Sequence, residues 1–451
     1  MRRLAWCALA LAGACGTQAG LEPGPLDHMH MPTGLAVLDG RLLVASSNAD
    51  LLYAQDTGGA ILDLEPVDPL ALDTIRVKGA VNVQSFAGEI AVARPLAQTA
   101  GAPEADHCGA DIPDARAVFA TRGSNTLNVL SVDSTGRLAC RFCGIPSSGQ
   151  YADPFPVAIA CAPGRPRAFV GYVGAQYGVG WVSQLNLVTG GVQTASVGSG
   201  LVRTLAYDAG HDRLYVGQLA TTQPTPLRWV ELGGCKFGDT TPAFGCSVGQ
   251  ATLPGVPAGS EIRSIALAHP FPGAPQRAYV TVRLYDVPSA SLAGGRTTDY
   301  GGLLLVLDLV ENSLGDVTPQ LVRVVPASGT LGRGLQDVRV LPARVDGLMN
   351  PRRDVVAAVA IDEGIVWVFD DESLALASFG RDPATGAPLL GHDPAGLAVD
   401  PDPIGTSARI WIGSYTDSFV TPIDVPLDDP FGAGFAPLPA GAPHRITGAM
   451  P

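Results

Sequence analysis

The sequence predicts an all-β fold of small sheets set around a common centre, and three observations carry that expectation. Glycine and proline, 55 and 38 residues, punctuate the chain from end to end without a collagen-like period, as many short strands joined by turns require. No long stretch repeats apolar residues at the i, i+3, i+4 and i+7 positions of an amphipathic helix. A degenerate phrase of roughly 50–70 residues recurs about seven times, and recurrence at such a period is the mark of a repeat architecture.

Composition narrows the class further. Apolar residues make up 46% and charged residues 16% of the chain, which argues against disorder of the whole. A length of 451 residues suits one large repeat-built domain without a second core. The formal charge is −13, Lys78 and Lys236 are the lysines among 29 basic residues, and no basic run follows the first three positions. Phosphate backbones and anionic lipid need clustered positive charge, so no nucleic acid is expected as a partner.

The chain opens Met1-Arg2-Arg3 and then runs apolar from Leu4 to Ala14. That stretch is too short to span a bilayer but matches the hydrophobic region of a signal peptide behind a basic start. Ala12-Gly13-Ala14 precedes Cys15 in an order that resembles a bacterial lipobox, whose cysteine becomes the lipidated first residue. Leu11 stands one place early for that pattern, and Ala12-x-Ala14 serves ordinary signal-peptide cleavage equally well. The expected organisation is a signal peptide at 1–14, an N-terminal tether at 15–30 and a single domain at 31–451. The expected location is the cell envelope, as an outer-membrane lipoprotein or a periplasmic or secreted protein. Membrane contact is then expected through a lipid anchor alone, because no later stretch reaches 18 consecutive apolar residues.

The repeat begins with a Pro-led inner strand. A turn and a strand opening on arginine follow, then a strand ending in aspartate. The clearest copies are Pro32-Thr-Gly-Leu-Ala-Val37 with Arg41-Leu-Leu-Val44, and Pro394-Ala-Gly-Leu-Ala-Val-Asp400 with Arg409-Ile-Trp-Ile412. Weaker copies are expected to start near Val81, Pro154, Val202, Ile262 and Leu335. Residues 96–116 and 283–300 read as inserted loops. One small sheet cannot bury both faces, and radial stacking hides them and leaves only short edges, so the predicted architecture is a β-propeller. Seven blades fit the count. Six or eight also fit the spacing, because Pro443-His-Arg-Ile-Thr447 reads either as a further inner strand or as a closing clasp.

Pro-x-Gly-Leu-Ala-Val, a turn, Arg-Leu-x-Val and a strand ending in Asp resemble the YVTN-type bacterial β-propeller repeat and are similar to NHL repeats. The likeness covers most of residues 30–440 and is sharp in the first and last copies. Asp400-Pro-Asp-Pro-Ile-Gly405 departs from the usual short Pro-Asp-Gly turn. Such families include binding scaffolds, lactonases and cofactor-dependent dehydrogenases, so the resemblance implies a fold and leaves the activity open.

Six cysteines follow the leader: Cys108, Cys140, Cys143, Cys161, Cys235 and Cys246. An even number in an exported chain predicts disulfides, with Cys235–Cys246 the most natural pair. The other four have spacing that also suits a zinc site with Cys140-x-x-Cys143 as its knuckle.

Catalytic signatures are absent: there is no Gly-x-Ser-x-Gly, His-Glu-x-x-His, P-loop or dinucleotide fingerprint. Two constellations carry chemistry. At the seam where first and last blades would meet stand His28, His30, His392, Asp393 and His444. Imidazole and carboxylate there suit a divalent metal such as zinc, and Met29 and Met31 add sulfur that favours copper. Asp400 and Asp402 resemble half of a calcium loop but read better as turn caps. Secondly, Arg203 and Arg263 share the second position of their inner strands, so both are expected to face a channel, to receive a carboxylate or phosphate. Pairing with Glu261 or Asp337 between blades is the plainer role for them. Asp153 and Asp393 are expected to cap backbone groups beside prolines. Trp181, Trp229, Trp367 and Trp411 are expected to pack between sheets.

Two functions remain open on this reading. One is a monomeric, non-enzymatic scaffold for an envelope or extracellular protein, peptide or glycan. The alternative is a channel-mouth enzyme, a lactonase-like hydrolase or metal-dependent oxidoreductase.

Overall fold

The chain folds into antiparallel sheets in its computed structural model. The structure describes most of residues 22–426. Outside the description lie 1–21, 427–451 and several connecting stretches, the longest being 96–107, 285–300 and 342–353. Cys15, Asp402, His444 and the stretch 443–447 therefore lie outside the described residues, as do most of the expected inserted loops.

The first sheet runs β1 (Pro32–Leu38), β2 (Arg41–Ser46), β3 (Gly59–Glu65), β4 (Arg76–Val83). The second holds β5 (Ala87–Ala93), β6 (Arg116–Thr121), β7 (Thr126–Val132) and β8 (Leu138–Pro146). The third holds β9 (Ala152–Ala162), β10 (Arg165–Gly174), β11 (Val179–Asn186) and β12 (Val192–Ser199). Next come β13 (Leu201–Asp208), β14 (Arg213–Leu219), β15 (Pro226–Glu231) and β16 (Val248–Thr252). They share one eight-stranded sheet with β17 (Glu261–Ala268), β18 (Gln276–Arg283), β19 (Gly302–Glu311) and β20 (Val317–Val325). A further sheet is β21 (Leu335–Val340), β22 (Val355–Ala360), β23 (Ile365–Asp370) and β24 (Leu376–Phe379). The last described sheet is β25 (Pro394–Val399), β26 (Ser407–Ser414) and β27 (Phe419–Pro426). Two 3-10 turns, Leu232–Gly234 and Ile361–Glu363, are fully described, and no α-helix occurs among the described residues.

The architecture is an all-β propeller of five small sheets and one eight-stranded sheet. The expected seven units thus meet six sheets. The larger sheet is two four-stranded runs joined between β14 and β17 at the single residue pair Leu219↔Glu261. The innermost strands β1, β5, β9, β13, β17, β21 and β25 each contact the next, and β25 contacts β1. Apolar cores lie between neighbouring sheets. Leu43 and Ile61 pack with Ile90 and Phe119, and Leu35 and Val44 pack with Trp411 and Val420 across the ring's closure. Gly34 allows the tight approach of β1 to β5, since a Cβ there would lie 2.2 Å from the Gly88 carbonyl oxygen.

One unit begins elsewhere than its sequence suggests. The stretch from Val81 was expected to open the second copy, yet it ends the outer strand β4, and the inner strand is β5. Alternating valines at 81 and 83 look the same on an outer strand as on an inner one, because both have a half-buried face.

The arginine that opens the second strand explains much of the repeat. Arg41 pairs with Asp63 at 3.0 Å, Arg277 with Asp308 at 2.7 and 2.9 Å, and Arg409 with Asp424 at 2.7 and 2.9 Å. The same side chains reach the next sheet. Arg41 donates to the Gly136 carbonyl at 2.6 Å, Arg167 to Asp212 at 2.5 Å, and Arg277 to Asp371. Arg116, fully buried, donates to the Leu187 carbonyl. Charges this deep persist only when paired. The arginine-to-aspartate phrase is therefore a clasp within and between sheets.

Candidate binding site in the central channel

The channel lining follows from a bulge repeated in the inner strands. Pro32 faces Ser46 and Gly34 faces Ala45, so Thr33 has no partner on the neighbouring strand. The same skip leaves out Arg203 in β13, Arg263 in β17, Gln336 in β21 and Ala395 in β25, and β5 breaks register between Ala87 and Ile90. A bulge adds one residue to one strand and re-aims its side chain. These residues and Glu89 line a cavity of about 120 Å³ on the axis, together with Arg122, Ser264, Asp337 and Arg339. That volume holds several waters or one small anionic group.

Arg203 and Arg263 therefore both stand at the channel, joined by one carboxylate. Glu261 is fully buried and lies 2.6 Å from Arg203 Nε and 3.0 Å from Arg263 Nη1. Arg263 also donates to Gln336 of the next inner strand. On the other side, Arg339 Nη2 lies 3.0 Å from Glu89 Oε1 and 3.1 Å from Asp337 Oδ2, and Ser264 Oγ donates to Asp337 Oδ1 at 2.8 Å.

Four guanidinium groups face three carboxylates here, in a protein whose formal charge is −13. Burial pushes the Glu89 carboxyl above its ordinary range; Arg339 opposes this, and the charge of Asp337 reinforces it. Glu89 thus holds a proton more readily than a free glutamate does. When it does so, the cavity gains net positive charge.

Asp337 was named from the sequence only as a pairing partner, and Glu89, Gln336 and Arg339 were not singled out. The second position of the inner strand, aligned across copies, was the signal that finds Gln336. Glu89 was missed because the second copy was given the wrong inner strand.

The described seam histidines each pair with a different carboxylate. His28 Nδ1 pairs with Asp27 at 2.7 Å, His30 Nε2 with Asp50 at 2.8 Å, and His392 Nδ1 with Asp417 at 3.1 Å. Asp393 accepts a hydrogen bond from Thr416 Oγ1 at 2.6 Å. The Tyr415 hydroxyl is pushed up by burial and by the nearby charges of Asp50 and Asp393. Met29 is 2% exposed in the apolar core with Trp411, so its sulfur is packed rather than presented. Among the described residues no group of three or more His, Cys, Asp or Glu is placed to hold a metal ion. Trp229, Trp367 and Trp411 lie in or against the apolar clusters.

The six cysteines that follow the leader are bonded, as Cys108–Cys161, Cys140–Cys143 and Cys235–Cys246. The zinc arrangement is thereby replaced by disulfides, which point to an extracellular or periplasmic environment.

No family model matches the chain, and no curated protein matches it. Among solved structures, Kuenenia stuttgartiensis hydrazine synthase is similar at 11% identity and a TM-score of 0.54, over 91% of this chain and 99% of that one. A protein from Lactobacillus plantarum is similar at 15% identity and a TM-score of 0.47, over 79% and 82%. A putative 6-phosphogluconolactonase from Bacteroides fragilis is similar at 13% identity and a TM-score of 0.42, over 79% and 82%. At 11% identity the likeness to the hydrazine synthase concerns the fold alone.

Proposed function

We propose that the protein is an exported binding scaffold, a seven-bladed propeller whose channel receives a small carboxylate- or phosphate-bearing group. The observation that carries this is the axial cavity, where Arg122, Arg203, Arg263 and Arg339 converge in an otherwise acidic chain. Guanidinium groups bind such oxyanions through paired N–H donors. The count of seven takes the eight-stranded sheet as two blades, because a single residue pair joins its halves. The leader with Cys15, together with three disulfides, supports export and a lipid anchor. The Pro-led inner strand and the arginine clasp support kinship with YVTN/NHL-type repeats.

Calorimetric titration with citrate, succinate and inorganic phosphate tests the reading. Saturable binding of one of them, lost in Arg203→Ala, is the expected result. No saturable heat with any probe, or unchanged binding in that variant, overturns it.

A second reading, a lactonase-like hydrolase working in the channel, rests on Glu89. A carboxyl that retains its proton beside a cavity suits general acid–base work. Turnover of a lactone or ester panel that disappears in Glu89→Gln would favour it over the scaffold, and no turnover would remove it.

A further inference from the structure

Cys140 and Cys143 lie outside the channel chemistry, on β8, the strand at the outer end of the second sheet. Both are exposed, and they are bonded to each other across Arg141 and Phe142. The ladder to β7 breaks register twice here, passing from Leu127↔Ile145 to Val129↔Phe142 and then to Leu130↔Cys140. The disulfide thus bridges a bulged edge whose ladder continues on either side. Arg141 lies over the Phe142 ring at 5.5 Å, and its side chain is 36% exposed. Asp114, at 4.0 Å from Arg141, is held closer by Arg116 at 3.0 Å. The other disulfides are placed differently. Cys108 and Cys161 are 4% and 8% exposed in the core between the second and third sheets, and Cys235 and Cys246 pack against the core beneath β13 and β14.

We propose that Cys140–Cys143 is a thiol–disulfide exchange site for an external thiol, while Cys108–Cys161 and Cys235–Cys246 are structural. Exchange requires a thiolate to reach one sulfur along the S–S axis, and access differs most sharply between the exposed edge and the core. The sulfur that leaves does so as a thiolate, which the adjacent Arg141 cation stabilises. The balance is complete with two external thiols. The first forms a mixed disulfide with one cysteine and frees the other as thiolate, which takes up a proton. The second thiol displaces the first as an external disulfide, leaving the Cys140, Cys143 dithiol. Opening this bond leaves the fold in place, because the link joins residues three apart and constrains the unfolded chain least. Gly144 remains held through its N–H to Asn128 Oδ1 at 2.8 Å.

The test treats the native protein with graded glutathione, alkylates the freed thiols and locates them by mass spectrometry. Labelling confined to Cys140 and Cys143, at glutathione at least about tenfold below that needed for the other four, is expected, with circular dichroism unchanged. Arg141→Glu is expected to slow this labelling several-fold. In one of Cys140→Ser and Cys143→Ser, the remaining cysteine should form a stable glutathione adduct in folded protein. Labelling of all six together, labelling only after unfolding, or an Arg141→Glu rate equal to that of the parent overturns the proposal.

Discussion

Replacing Glu261 by glutamine keeps the side-chain shape and removes the carboxylate charge between Arg203 and Arg263. Glu261 is fully buried, while the two arginine side chains are 23% and 17% exposed. Removing one partner from a fully buried pair costs about 3–5 kcal/mol. The arginines' opening to the channel screens the residual charge, so about 2–3 kcal/mol is the expected loss for Glu261→Gln. A urea unfolding series reads this as a lower midpoint at unchanged slope. Anion binding should move the other way. A unit of positive charge gained roughly 8 Å from the ligand, at an effective dielectric near 40, contributes about 1 kcal/mol, or roughly fivefold in affinity. Lower stability with tighter binding of citrate or phosphate is thus the joint expectation. A variant that loses stability and binds no more tightly would show that the two arginines serve inter-blade pairing alone. A variant of unchanged stability would refute the cost assigned to the buried pair.

Glu89 gives the channel a pH dependence. Its folded pKa is raised chiefly by burial, so the ionised form costs stability. That cost is absent below the unfolded pKa and complete above the folded one. Protonation also adds positive charge beside Arg339, so anion affinity should rise as pH falls through that window, and Glu89→Gln should flatten the dependence in calorimetry. His211 shows the more familiar sign. Burial opposes its charge, but Asp208 at 2.7 Å and Glu311 at 3.2 Å outweigh that and raise its pKa. Its contribution is therefore fully present below about pH 6.5 and lost as pH rises through the folded pKa, and His211→Gln should remove that slope from urea midpoints taken across neutral pH. Arg277→Met takes the nearest cation from Asp371, whose side chain is 1% exposed, and leaves it Tyr279 at 3.0 Å and Arg323 at 3.5 Å; the expected cost in the same assay is about 2 kcal/mol, below that of a fully unpaired buried charge. The Cys108–Cys161 bond spans a separation of 53 residues. Replacing both by serine should cost about 4 kcal/mol if loop entropy dominates, and a much smaller fall in midpoint would refute that mechanism.

The all-β class, the repeat and the inner-strand phrase were legible in sequence because Pro, Gly and alternating apolar residues act locally. Pro32-Thr-Gly and Pro394-Ala-Gly mark strands whose pleat and turns follow from neighbouring residues alone. The even number of cysteines announced bonds, and Cys235–Cys246 lay within reach of a local argument. Cys108–Cys161 did not, because Cys108 lies in the connection between β5 and β6 while Cys161 stands on β9 of the next sheet. The inner strand of the second sheet was misplaced because Val81 and Val83 carry the same period as a true inner strand, and Glu89 went unnoticed with it. The seam histidines were close along the expected ring, yet each of the three described ones turned to a nearby carboxylate: Asp27 for His28, Asp50 for His30 and Asp417 for His392. What the sequence by itself determined was the local grammar: strands, turns, the clasp arginine and the position that becomes a bulge. Only the tertiary structure decided that Thr33, Glu89, Arg203, Arg263 and Gln336 share one cavity. Strand period is a property of neighbours along the chain, whereas a channel exists only when separate sheets bury their faces against one another and turn their bulges to a common axis.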